Sequence, residues 1–514
     1  MPIIGSILKK GIKLRETLEQ DFTSPYDLQK KELSKLLISA RNTQFGRTYD
    51  FHTVLEQFRS FGQHDFFDKF KELVPVCDYD KMDHEWWHKM RDGEADVSWP
   101  GKTKFFALSS GTSGSTSKYI PVTKDMIRQI RKTGTRHMYT LSKYDFPDKF
   151  FQSGMLMLGG STALDFSGNY YYGDLSGITT GQLPLWVQGF SHPTPKIKKH
   201  KDWEIKLEEI VESAPKWNIG MIVGVPAWMT ILLERIIVRY GVKNIHEIWP
   251  NLGSFVHGGV AFEPYRNSFD KLLGRPIHYI ETYLASEGFI AFQDSPEKRG
   301  MRMMLNGGIF YEFVLFNEEN FDQDGQIVDN PETLMIDQVE EGKDYALLIS
   351  TCSGAWRYLI GDTVRFLDKH SSEIIITGRT KHFLSLCGEH LSVDNMNRAI
   401  EQTSAEFNIG VKEFTVAGVP DGKLFSHHWF IGTDDPVDAT ALKERIDACL
   451  NELNDDYAVE RKFALKNIKL DVLPTEVFYD WLRSQGKEGG QTKFPRVLKK
   501  EKLESWLAFV GSKA

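Results

Sequence analysis

The chain has 514 residues, 41 % of them hydrophobic and 26 % charged, which excludes a largely disordered or fibrous protein. Its 63 basic and 70 acidic side chains leave a net charge of −7, without the electrostatic footprint of a dedicated nucleic-acid binder. Cys77, Cys352, Cys387 and Cys449 form no CxxC pair, so neither a zinc ribbon nor a disulfide scaffold is indicated, and isolated thiols fit a reducing, cytoplasmic setting.

Near the start, Lys9 and Lys10 follow only a short apolar stretch, unlike a secretory signal. A helix is expected from Ser24-Pro25, with Leu28, Leu33, Leu36 and Leu37 on its apolar face. His84-Glu85-Trp86-Trp87-His88 matches the HExxH zinc pattern, but no third ligand follows and the tryptophans suit a packed amphipathic helix. Beyond Gly101 the chain alternates. Strands are predicted at 104–108, 154–158, 219–223, 254–256, 276–280 and 345–350, and helices at 124–141, 203–213, 226–240 and 262–272. This alternation predicts an α/β core with parallel strands. The apolar run 217–233 is too short for a membrane span and is broken by Pro226, so it reads as a buried strand, a turn and a helix. A β-branched run ends at Gly378-Arg379, and a smaller α/β unit follows from a boundary near Thr380.

The densest local signal is Ser109-Ser110-Gly111-Thr112-Ser113-Gly114-Ser115-Thr116-Ser117-Lys118. Glycines let backbone N–H groups turn onto an anion, hydroxyls donate to phosphate oxygens, and Lys118 adds a charge. A phosphate-binding loop between a buried strand and a helix is therefore expected. It is not a Walker A loop, because Gly101-Lys102-Thr103 has Asp96 where that motif needs glycine. His257-Gly258-Gly259 lacks the G-x-S-x-G partner of an esterase, and its glycine pair can let a flat ring approach the backbone. Glu281 to Gly288 gathers an aromatic ring, hydroxyls and carboxylates at a strand end, where α/β folds bind ligands.

In this order and spacing the motifs resemble the Gretchen Hagen 3 acyl-acid–amido synthetases of the adenylate-forming superfamily. Ser109–Lys118 is similar to the family's SSGTSxGxxK signature, Tyr283–Glu287 to its Tyr-x-x-Ser-Glu and Tyr358–Asp362 to its Tyr-Arg-x-Gly-Asp. In the last of these Leu359 replaces the arginine, and Arg357 stands one place earlier. Gly378-Arg379 with Gly388-Glu389 resembles the superfamily hinge, and Gly490 to Arg496 resembles the segment with the mobile catalytic lysine.

The resemblance implies an acyl-CoA synthetase/luciferase-like α/β fold. A large N-terminal domain (1–380) would bind ATP and the acid, and a small mobile domain (381–514) would carry the lysine. It implies ATP and Mg²⁺ as partners. Ser109, Ser110, Gly111, Thr112, Ser113 and Lys118 would cradle the phosphates. Gly258 and Gly259, with Thr282 and Tyr283, would bracket adenine. Ser286 would approach the α-phosphate, Glu287 would hold Mg²⁺, Asp362 would take the ribose hydroxyls, and Arg379 would contact ribose or phosphate. Lys493, with Glu287, would be catalytic. The implied reaction converts a small carboxylic acid to an acyl-adenylate and passes the acyl group to the amine of an amino acid. Transfer to another acceptor such as coenzyme A, and a non-catalytic nucleotide-binding protein, stand as alternatives. The uncharged stretches 175–195 and 217–233 suggest an apolar acyl pocket at Tyr172, Leu175, Val225 and Met229.

Overall fold

The computed structural model describes residues 9–15, 23–109, 118–183, 188–322, 325–380, 391–421, 424–454, 457–458, 461, 465–486 and 493–513. Helix α1 (Pro25–Ala40) begins as its sequence dictates. The Ser24 side chain accepts from the Asp27 N–H and proline fills the first turn, a cap worth about 1 kcal/mol. Then come β1 (Phe105–Ser109), β2 (Lys118–Val122), α2 (Lys124–Thr140), β3 (Gly154–Met157), β4 (Asp165–Phe166), β5 (Tyr171–Gly173), α3 (Leu175–Gly181) and β6 (Ser191–His192). After them run α4 (Trp203–Ser213), β7 (Ile219–Gly224), α5 (Pro226–Tyr240), β8 (Ser254–Gly258), α6 (Glu263–Asp270), β9 (His278–Ala285) and β10 (Gly288–Phe292). Strands β11 (Met301–Met303), β12 (Ile309–Leu315), β13 (Asp344–Thr351), β14 (Tyr358–Asp368) and β15 (Glu373–Arg379) complete this part. The last part holds α7 (Val393–Phe407), β16 (Val411–Asp421), β17 (Leu424–Thr433), α8 (Ala439–Leu453), β18 (Leu465–Leu473), α9 (Thr475–Ser484), β19 (Val497–Leu498) and α10 (Lys500–Lys513).

The main sheet has eleven strands in the order β12-β13-β14-β15-β11-β10-β9-β8-β7-β3-β6. Strands β6, β3, β7, β8 and β9 run parallel, as predicted for 154–158, 219–223, 254–256 and 276–280, whereas the predicted strand 104–108 lies in a separate four-stranded sheet, β2-β1-β5-β4, and 345–350 lies in the antiparallel half. From β9 to β12 the pairing is antiparallel, because short connections such as Ser286-Glu287 cannot make a parallel crossover. The apolar sides of α4, α5 and α6 pack on one face of the parallel half, where Leu207, Leu232 and Phe269 meet Ile222 and Phe255. Tyr144, Phe146 and Phe150 cover the other face at Met221, Val256 and Ile280. A separate sheet, β18-β17-β16-β19, carries α7 and α8 on one face through Met396, Ile400 and Ile446, and α9 and α10 on the other through Phe478 and Trp506.

One local expectation changes. Lys118–Val122 is a strand paired antiparallel with β1, where the sequence suggested a direct passage to the helix, and that helix begins at Lys124 as predicted, capped by Thr123. The HExxH segment is a packed helix, as its tryptophans suggest, with a π-helical turn over Asp83–Trp87 between short helical turns at Tyr79–Met82 and His88–Arg91, and Trp86 and Trp87 buried in the core beside Phe45 and Tyr358. Among the described residues, no helix is long and apolar enough to cross a membrane.

Candidate active site

The site residues collect where the carboxyl ends of the parallel strands meet the antiparallel half, the usual ligand crevice of such sheets. Ser109 ends β1 and pairs directly with Lys118 on β2. Ser110, Gly111, Thr112 and Ser113 lie between them, outside the described residues. The Lys118 ammonium sits 5.1 Å from the centre of the Tyr79 ring, and Lys118 helps line a cavity of about 410 Å³ with Gly361 and Arg379.

At the end of β8, glycine is required twice. A Cβ on Gly258 would stand 2.3 Å from the Thr282 carbonyl oxygen on the paired strand. Gly259 has φ +85°, and a Cβ there would stand 2.9 Å from Lys493 Nζ. Lys493 belongs to the segment leading into β19, so the two sheets meet at this glycine. The lysine is exposed as a residue, while its amine lies against Gly259. Burial and the Arg379 charge lower its pKa to about 8, and Asp362 opposes them.

Asp362 is the hub. Its Oδ2 accepts from the Tyr283 hydroxyl at 2.6 Å, and its Oδ1 accepts from Arg379 Nε at 2.8 Å. Register explains the second contact, since Asp362 and Arg379 are cross-strand partners. Ser286 and Glu287 form the turn between β9 and β10. Glu287 is 7 % exposed, and burial, then the Asp362 charge, pushes its carboxyl up to about 7. Such a carboxyl fits a divalent cation, whose charge would return it to the carboxylate form. The Thr282 hydroxyl donates to the His257 carbonyl oxygen at 2.9 Å, tying β9 to the end of β8.

The four apolar positions divide. Tyr172 and Leu175 pack with the large core around Phe106, while Val225 and Met229 pack with α4 and α5. Val225 faces the site, its Cγ2 3.9 Å from the Cβ position of Gly259. Met229 is fully buried beside Gly224. Helix α3 lies against the loop after β3, where Ser176 Oγ accepts from the Gly160 N–H, so both segments border the same end of the sheet.

Arg357 is absent from the crevice. Its Nε donates to both Glu312 oxygens at 3.0 and 3.1 Å, and its other nitrogens to the carbonyls of Lys71 and Val74 and to Thr333 Oγ1. Nothing in the spacing of the motif distinguishes this buried clamp from a nucleotide contact. The sequence also gave no sign of Tyr265 and Glu413, which meet Arg496 just beyond Lys493.

Comparisons with known proteins place the chain in a family. The model of the GH3 family N-terminal domain matches residues 14–163 and 131–277, that of its central domain 302–375, and that of its C-terminal domain 394–502. The indole-3-acetic acid-amido synthetase GH3.4 of Arabidopsis thaliana is 21 % identical over 568 residues, spanning 95 % of this chain and 92 % of that protein. Among solved structures, GH3.15 acyl acid amido synthetase superposes with a TM-score of 0.75 at 15 % identity, covering 98 % of this chain and 96 % of its own. The 2-hydroxyisobutyryl-CoA ligase, in complex with 2-HIB-AMP, shares the fold at a TM-score of 0.60 and 12 % identity, covering 95 % and 92 %. The chain has an adenylate-forming α/β fold and belongs to the GH3 family.

Proposed function

We propose that this protein is an acyl-acid–amido synthetase. A substrate carboxylate oxygen attacks the α-phosphorus of ATP, the bond to the β-phosphate oxygen breaks, and pyrophosphate leaves. An amino-acid nitrogen then attacks the acyl carbon, the carbon–oxygen bond to phosphate breaks, AMP leaves and the amine gives up a proton. The first step brings two anions together, so the chief task is electrostatic. Lys493 neutralises the carboxylate and the transferring phosphoryl group. Arg379, held by Asp362, contributes a second positive charge beside the ribose and phosphates. Asp362 takes the ribose hydroxyls, and Gly258 and Gly259 leave room for the adenine ring. Glu287 would hold Mg²⁺, which supplies charge screening to the phosphates. Ser109, Ser110, Gly111, Thr112, Ser113 and Lys118 would receive the β- and γ-phosphates, and Ser286 the α-phosphate. Val225, at the crevice wall, is the best placed of the four acyl-pocket positions. Residues 1–380 and 381–514 act as two domains turning about 380–382, where 381 and 382 lie outside the described residues, so that Lys493 serves the first step and withdraws for the second. Three buried, unpaired thiols, Cys77, Cys352 and Cys449, support a reducing cytoplasm as the working compartment.

The observation that carries this reading is the Lys493 amine at Gly259, beside the linked Arg379, Asp362 and Tyr283. It is tested by acid-dependent ATP–pyrophosphate exchange with pooled carboxylic acids and Mg²⁺. Exchange should require an acid and fall about 10²- to 10³-fold in Lys493→Ala. Amide, rather than thioester, should form when amino acids and coenzyme A are offered together. No exchange with any pool would overturn adenylation, and thioester alone would overturn the acceptor.

A further inference from the structure

The segment 493–496 touches the large sheet's crevice at both of its ends. Lys493 reaches Gly259, and three residues later Arg496 reaches Tyr265, on the helix that follows Gly259. Arg496 Nη2 donates to the Tyr265 hydroxyl at 2.8 Å, and its Nη1 donates to Glu413 Oε2 at 2.7 Å and to the Phe414 carbonyl oxygen at 2.9 Å. The Tyr265 hydroxyl in turn donates to Glu413 Oε1 at 3.2 Å, which closes a three-membered ring of hydrogen bonds. The guanidinium carbon lies 4.2 Å from the centre of the Phe414 ring. Glu413 and Tyr265 are 3 % and 2 % exposed, so the ring is desolvated, unlike the more open pairs Lys412–Glu234 and Lys271–Asp435 at the same junction.

Ownership of the three groups matters. Glu413 lies on β16, and the Arg496 carbonyl accepts from the Val416 N–H, so the charged pair belongs wholly to the small sheet. Only the neutral hydroxyl of Tyr265 comes from the large one. When the small sheet turns away, arginine and carboxylate keep each other and no lone charge is exposed. A buried salt bridge across the junction would instead have to be broken. The contact therefore sets a register without locking it.

We propose that Tyr265 is a positioning residue for Lys493. Through Arg496 and Glu413 it fixes the register of the lysine-bearing segment during adenylation, and it lets go for acyl transfer. This rests on the amido-synthetase reading above.

Tyr265→Phe tests it, since the ring and its packing remain and only the hydroxyl is lost. Exchange turnover should fall about 10- to 100-fold, the effect of displacing a catalytic group by a fraction of its length, with the KM for ATP unchanged. Amide formation from a supplied synthetic acyl-adenylate, made from the acid that supports exchange in the wild type, should match or exceed the wild type. The double variant Tyr265→Phe/Lys493→Ala should exchange no more slowly than Lys493→Ala, because the tyrosine acts through the lysine. Unchanged exchange, equal losses in both half-reactions, or additive losses in the double variant would overturn the proposal. Its failure differs from failure of the underlying reading, in which the wild type itself shows no acid-dependent exchange.

Discussion

Two arginine–carboxylate pairs flank one short stretch of chain, and they do opposite things. Arg357 meets Glu312 with side-chain exposures of 5 % and 0 %, and its donors end on protein acceptors. Five residues on, Asp362 meets Arg379 at the crevice edge with exposures of 16 % and 40 %. The first pair ties β12 and the 71–74 segment to the start of β14. The second keeps a guanidinium near solvent, close enough to lower the Lys493 pKa. Like chemistry is closed in the core, where each Arg357 nitrogen has a protein acceptor, and keeps one edge open to solvent at the crevice.

The sharpest way to break this comparison is Arg357→Ala, which strands a buried carboxylate. It should cost about 3–5 kcal/mol of stability, read by denaturant unfolding. Under conditions where it is folded, its KM for ATP should stay at the wild-type value; a raised KM would place Arg357 in the nucleotide site after all. Asp362→Asn should do the reverse. It should leave stability nearly unchanged and raise the KM for ATP about tenfold, because hydrogen bonds to a charged acceptor are weakened.

The pH dependence of exchange sharpens the contrast further. A lysine lowered to about 8 is an ammonium below that pH and a neutral amine above it. With saturating Mg²⁺, kcat/KM for ATP should therefore fall about tenfold per pH unit above that value. An active Lys493→Arg variant should lack this alkaline limb. The smallest effect belongs to Glu281, a carboxyl that burial and the neighbouring Glu263 push up to about 8. Its folded pKa exceeds the unfolded one, so the folded state holds the extra proton and stability falls as pH rises from the ordinary carboxylate range towards 8. Glu281→Gln, an isostere of the protonated form, should match the wild type in Tm near pH 5 and exceed it by a few degrees near pH 8. An equal offset at both pH values would show that Glu281 does not titrate in this way.

Much of the frame was legible because local rules and long-range packing agreed. Ser24 caps α1, the helix α5 begins at Pro226, and Glu373–Arg379 is a strand, each as its own residues demand. The parallel half of the sheet was readable for the same reason. Its antiparallel half was not, because an apolar run of strand length says nothing about the direction of its neighbour. The hairpin at Lys118 was missed because Lys-Tyr-Ile-Pro-Val reads equally well as a lead-in to the next helix.

The sequence by itself determined the order of the motifs, hence the family, and the residue types at the site: two glycines, a carboxylate hub and a lysine far along the chain. Tertiary structure alone decided what each charge is for. Arg357 and Arg379 look alike as letters, but burial and the number of satisfied donors differ, and these depend on residues up to 286 positions away. The same holds for Lys493. Its place against Gly259, and the Tyr265–Arg496–Glu413 ring beneath it, exist only where two separate sheets meet.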